Sequence, residues 1–147
     1  MTDNVLPESS KNPNEFNWSV RVYYEDTDVA GLVYHSNYLK YMERARTEWL
    51  RDLGYSQEKL KQELGIIFVV KNMNIKFLQP AKMDELLRVD ARIKELGGAR
   101  IVFNQVIVNE QAGVVCDAEV NVACLDSITF KPRRLPESIH KELCLVC

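Results

Sequence analysis

Cysteine is scarce in this chain and comes late. Cys116, Cys124, Cys144 and Cys147 are too few and too unevenly spread for a disulfide framework, so a reducing compartment, the cytoplasm, is expected. Residues 1–14 contain no apolar run and carry two prolines, which excludes a signal peptide or a membrane span there and predicts a flexible tail over residues 1–15. Neither sign of charge dominates. A formal net charge of -2 over 147 residues gives no global pull toward nucleic acid or an anionic membrane surface, and nucleic acid is not expected as a partner. Histidine is limited to His35 and His140, and no internal repeat is visible. With 46% hydrophobic residues the chain can bury the core of one ordinary domain, expected over residues 16–136 and followed by a C-terminal tail over residues 137–147.

Residues 16–24 are rich in aromatic and β-branched side chains in partial alternation, the pattern of a half-buried strand. Residues 25–34 hold three acids, a glycine and no helical period, which predicts an irregular crossing. From Ser36 to Leu53, Leu39, Met42, Ala45, Trp49 and Leu53 recur at helical spacing, with Ser36 as the expected N-cap and Gly54 as the stop. Arg46 and Glu48 fall near the boundary of that face. A shorter helix is expected over residues 56–64, ending at Gly65. After Gly65 the period becomes two, with strands expected up to Pro80 and then over residues 87–95, 100–109 and 114–125, arranged with the preceding strand as a four-strand meander. Strand, long helix, short helix and meander make an α+β arrangement in which one sheet covers one dominant helix. Beyond Pro136 a helical turn or two is expected.

The chemistry-bearing segment is Tyr23-Tyr24-Glu25-Asp26-Thr27-Asp28-Val29-Ala30-Gly31-Leu32-Val33-Tyr34-His35-Ser36-Asn37-Tyr38, an acidic loop running onto the start of the long helix. A carboxylate can act as base or nucleophile, and the free N–H groups and positive dipole end of a helix can stabilise charge on a carbonyl oxygen. The Asp-x-x-Gly-x-Val-Tyr-His-x-x-Tyr run, with Glu43-Arg44-Ala45-Arg46-Thr47-Glu48 and Pro80-Ala81-Lys82-Met83-Asp84-Glu85-Leu86, resembles the hotdog-fold acyl-CoA thioesterases of the 4-hydroxybenzoyl-CoA thioesterase type, in the YbgC-like subfamily associated with the Tol-Pal system. The resemblance covers residues 20–136. It implies a hotdog fold with a five-stranded antiparallel sheet wrapped around one long helix, a homodimer or homotetramer with sites between subunits, and hydrolysis of acyl-CoA in lipid metabolism. It places the catalytic role on Asp28 and carbonyl polarisation on the backbone N–H of His35.

Beside each role stands a structural alternative. An aspartate in such a loop commonly makes an Asx turn, a histidine at a helix start is commonly structural, and a tyrosine between strand and helix is commonly core with a wet tip. Tyr24, Gly31 and Tyr38 are candidates for substrate binding, Gly31 also being a plain turn residue. Arg133 and Arg134, beside prolines after the last strand, are candidates for the coenzyme A phosphates. A thioester carbonyl is electrophilic enough that neither a metal nor a resident cofactor is expected, coenzyme A being part of the substrate. Cys116 and Cys124 share a strand face and read as core, whereas Cys144-Leu-Val-Cys147 falls in an expectedly frayed terminus. Two rival functions remain: a scaffold that docks acyl carrier protein or lipid-synthesis enzymes, and a hydroxyacyl-thioester dehydratase. The dehydratase is disfavoured because it needs an acid–base pair and only two histidines are present.

Overall fold

The computed structural model describes residues 14–147, so the tail expected over residues 1–15 falls almost wholly outside it, and Glu15 already belongs to the first strand. The elements run β1 (Glu15–Arg21), α1 (His35–Asp52), α2, β2 (Ile66–Phe77), β3 (Leu86–Leu96), β4 (Arg100–Val108), β5 (Val114–Asp126) and α3 (Glu137–Val146). The α2 segment is α-helical over Gln57–Lys59 and continues as a π turn over Leu60–Leu64. Ser56 caps α2 by accepting from the Lys59 N–H at 3.2 Å, and Gly65 ends it in the left-handed conformation at φ 65°. A three-residue helical turn over Tyr24–Asp26 shortens the expected first strand.

One antiparallel sheet takes the order β1-β3-β4-β5-β2. The expectation of a four-strand meander is corrected here: β3, β4 and β5 follow one another, but β2 pairs with β5 along the far edge, and β1 takes the place beside β3. Residues 78–85 make this possible, because they form a connection too long for a hairpin turn and carry Pro80, which donates nothing to a ladder. Alternation sets the core side of the sheet. Leu87, Val89, Ala91 and Ile93 of β3, Ile101, Phe103 and Ile107 of β4, and Cys116, Ala118, Val120, Val122 and Cys124 of β5 are all buried.

Helix α1 packs on β1 and β3 through Tyr38, Tyr41, Met42, Ala45, Trp49 and Leu50. Trp49 stacks on Phe16 at 6.0 Å between centroids and meets Phe103 edge-on at 6.1 Å. The buried face is therefore rotated from the expected stripe, leaving Leu39 at the surface and taking Arg46 inside. Among the described residues the wrapped helix of the expectation, α1, is joined by the short α2 and by α3. The expected tail over residues 137–147 is corrected as well, since α3 buries Ile139 and Leu143 in the same core as α1. Its apolar residues four apart make one face for the outer end of the sheet.

We expect Ile139→Ala to lower the free energy of unfolding by about 2–5 kcal/mol in urea titration, the cost of emptying a core site; a frayed tail would show no change. Thiol counting checks the cysteines. Burial pushes the Cys116 thiol up to about 12 and also raises Cys124, whereas Cys144 and Cys147 are exposed. Native protein at mild alkaline pH is expected to release two equivalents from a thiol reagent rapidly and the remaining two only on unfolding.

Candidate active site

The turn that carries Asp28 is closed on itself. Thr27 bridges to Val33, the Asp28 N–H donates to the Leu32 carbonyl at 2.8 Å, and the Gly31 N–H donates to the Asp28 carbonyl at 3.0 Å. Gly31 sits at φ 77° with open space where a Cβ would be, so backbone freedom, not a close neighbour, is what the position requires. Asp28 Oδ1 accepts from the N–H groups of Ala30 at 2.9 Å and Leu32 at 3.3 Å, which is the Asx-type turn foreseen as the structural alternative. Oδ2 has no hydrogen-bond partner among the described residues, and the residue is exposed. One oxygen of the carboxylate shapes the turn; the other faces outward.

The helix begins one residue earlier than expected, at His35, and its N-cap is Tyr34, not Ser36. No side chain caps this end: Tyr34 has no short oxygen to turn back onto the first turn. Among the described residues the His35 backbone N–H has no acceptor, while the next but one, at Asn37, bonds to the Tyr34 carbonyl at 2.8 Å. A free donor at the positive end of an 18-residue helix is suited to a carbonyl oxygen that gains negative charge. The His35 ring packs away from this role, 4.5 Å from the Tyr34 ring and 6.1 Å from that of Phe77.

Asp26 braces both sides of the turn. Its carbonyl accepts from the Tyr34 N–H at 2.9 Å and from Asn37 Nδ2 at 2.8 Å, and its carboxylate accepts from the Tyr23 N–H at 2.8 Å. Asn37 is buried and was missed by the sequence reading; a polar residue on the buried side of the first helical turn is the sign that marks it. The phenol of Tyr41, buried without an acceptor in hydrogen-bonding geometry, is held protonated by burial and by the nearby Asp26 carboxylate. The turn is also pinned from outside, through Val33 N–H to the Ala81 carbonyl at 2.9 Å and a bridge from Leu32 to Lys82.

Tyr24 is exposed on the helical turn before Asp28, in reach of solvent as a binding residue requires. Tyr38 is a correction. It is 4% exposed, and its hydroxyl accepts from the Ala81 N–H at 3.0 Å, so it holds the connection after β2 against α1 and offers no polar atom to a ligand. Burial raises its pKa, partly opposed by that hydrogen bond. Arg133 and Arg134 are not brought to Asp28 within one chain. The Arg133 N–H bonds to the Cys124 carbonyl, and its guanidinium bonds to the Gly65 carbonyl at 3.0 Å and lies 3.7 Å from Asp126. Cys116, which pairs with Phe77 beside His35, is eight strand residues away from Cys124, about 26 Å along β5. Arg134 lies beside Gly98 at that same far end. Among the described residues, concavities lie between α1 and β2, between α2 and β2, along β2–β5 and beside α3, and these are not lined by Asp28 or His35.

Tyr38→Phe tests the structural assignment: removing the acceptor orphans the buried Ala81 N–H, and we expect a loss of about 1–3 kcal/mol in urea unfolding. A variant as stable as the parent would return Tyr38 to the list of ligand contacts.

The family model described as the thioesterase-like superfamily matches residues 22–143. The acyl-CoA thioester hydrolase YbgC of Escherichia coli O6:H1 is 45% identical over 131 residues, covering 89% of this chain and 97% of that protein. The acyl-CoA thioesterase YbgC of Haemophilus influenzae is 44% identical over 126 residues, covering 86% of this chain and 92% of that protein. Among solved structures, a probable thioesterase from Bartonella henselae aligns with a TM-score of 0.79 at 39% identity, over 83% of this chain and 99% of that one. The family match and these relatives span nearly the whole described chain, and the protein belongs to the thioesterase-like superfamily.

Proposed function

We propose that the protein hydrolyses acyl-CoA to a carboxylic acid and coenzyme A, with Asp28 as the catalytic carboxylate and the His35 backbone N–H as the donor to the thioester carbonyl oxygen. The observation that carries this reading is the pairing of a free Asp28 Oδ2 with a free His35 N–H at the two ends of one closed turn. Oδ2 either takes the proton from an attacking water or attacks the carbonyl carbon to form an anhydride that water then opens. Both routes put the developing negative charge on the oxygen facing His35, expel the thiolate of coenzyme A, and end in acid and thiol. In this reading coenzyme A arrives with the substrate, no metal or resident cofactor takes part, and an acyl group on acyl carrier protein is a second substrate for the same chemistry.

Asp28 lies on an open surface, so a second surface is needed to exclude water there. Two features support a second copy of the chain, as a homodimer or as the dimer within a homotetramer. The β2 edge of the sheet is twelve residues long and unpaired on its outer side among the described residues, a row of main-chain groups that another β2 can complete. Tyr23, Tyr24, Val29, Tyr34, Phe77 and Met83 form exposed apolar surface around the turn. The same assembly would bring Arg133 and Arg134 of one copy to the coenzyme A of another. Four unpaired cysteines favour a cytoplasmic setting in lipid metabolism. Among the described residues no helix is long and apolar enough to cross a membrane.

Asp28→Asn keeps the oxygen that the Ala30 and Leu32 N–H groups use and removes the charge. Thiol release from acyl-CoA thioesters is expected to fall at least about a hundredfold while the thermal transition stays in place. Turnover indifferent to the change, or none on any thioester by the parent protein, would overturn the mechanism and favour a scaffold for acyl carrier protein.

A further inference from the structure

A stripe of α1 leads away from the site. His35, Leu39, Glu43, Arg46 and Leu50 are spaced four, four, three and four residues apart and so follow one another down one helix face. Strand β2 runs beside it in the opposite direction, with Phe77 at His35, Met73 and Val70 along Leu39 to Arg46, and Phe68 level with Leu50. Between them lies a groove that starts one helical turn from the free His35 N–H. Its first stretch is lined by Leu39, Met73 and Val70, and it ends in a cavity of about 120 Å³ against Phe68, Phe103 and Leu50.

Arg46 interrupts this apolar path. It is only 8% exposed, and among the described residues its guanidinium makes one hydrogen bond, from Nη1 to Gln105 Oε1 at 2.8 Å. Gln105 is itself fully buried and donates to the Met42 carbonyl at 2.9 Å, which fixes the guanidinium in the groove. Among the described residues Arg46 forms no ion pair, and burial, eased by the nearby Glu43 carboxylate, pushes its pKa down to about 10. A guanidinium has five N–H donors, and one hydrogen bond leaves the others unmatched by protein acceptors among the described residues, beside the groove that Arg46 lines. Glu43 lines the same stretch and accepts from the Thr47 hydroxyl at 3.2 Å.

We propose that this groove takes the acyl chain and that Arg46, with Glu43, selects acyl-CoA substrates whose chain carries a hydroxyl group near its far end. The inference rests on the thioesterase reading above. Eleven residues of helix separate His35 from Arg46, about 16 Å, the reach of a medium-length chain lying in the groove with its carbonyl at His35. A hydrocarbon end at Arg46 displaces water from the guanidinium and returns no hydrogen bond, whereas a hydroxyl oxygen accepts from Arg46 and donates its own hydrogen to Glu43. A terminal carboxylate suits the site less, because Glu43 repels it.

The test compares kcat/KM for decanoyl-CoA and dodecanoyl-CoA with that for their ω-hydroxy counterparts, in the parent protein, in Arg46→Lys and in Arg46→Met combined with Gln105→Leu. The paired change avoids leaving Gln105 without its partner, and thermal melting and size exclusion report on fold and assembly. The parent is expected to favour the hydroxylated chain by about tenfold, the value of one well-made hydrogen bond in a partly open site. Arg46→Lys should narrow the ratio and the double variant bring it to one or below. A parent ratio near one, or a ratio unchanged by the double variant, overturns the assignment. A shift in assembled mass with no change in ratio assigns the groove to a second copy of the chain and overturns it too. Failure to hydrolyse any acyl-CoA, short chains included, overturns the thioesterase reading together with this one, while turnover without hydroxyl preference overturns this one alone.

Discussion

The main-chain carbonyl of Asp26 accepts twice, from the Tyr34 N–H and from the Asn37 side chain, and these two bonds hold the acidic turn to the first turn of α1. Because Tyr34 is also the N-cap, the first bond sets where the helix begins. A side-chain oxygen at that position would have turned back onto the Ser36 or Asn37 N–H; an aromatic ring makes no such bond. The turn therefore costs the fold a capping interaction, a deficit offset by the burial of Tyr38, Tyr41 and Met42 immediately below.

The segment after β2 is the second brace. Ala81, fully buried, donates to the Tyr38 hydroxyl and accepts from the Val33 N–H, so a position far away in sequence holds both the end of the turn and the helix beneath it. Residues 80–86, which resemble the same family as the acidic turn, thus brace that turn from outside.

Burial of Arg46 and the openness of Asp28 invert the usual arrangement of a surface charge over an apolar interior. The rotation of the α1 face brings this about, because the ring stack of Phe16 on Trp49 and the contacts of Tyr41 and Met42 set the helix roll and carry position 46 toward β2. The charge is tolerated there because Gln105, on the core face of β4, meets it with an oxygen and passes its own nitrogen to the helix.

The sequence by itself determined most elements and pointed to the candidate site: period-two runs marked β3, β4 and β5, Gly54 and Gly65 marked helix ends, and the acidic turn with its glycine marked the segment proposed to carry the chemistry. These depend on local preferences, which neighbours in sequence suffice to express. Only the tertiary structure decided that β2 lies beside β5 and not β3, that α3 is part of the core, that Tyr38 is a brace, that Arg46 is buried, and that Arg133 lies far from Asp28 in one chain. Strand order, helix roll and the partners of a polar side chain depend on contacts between residues far apart in the chain, and such contacts leave no periodic trace in the sequence.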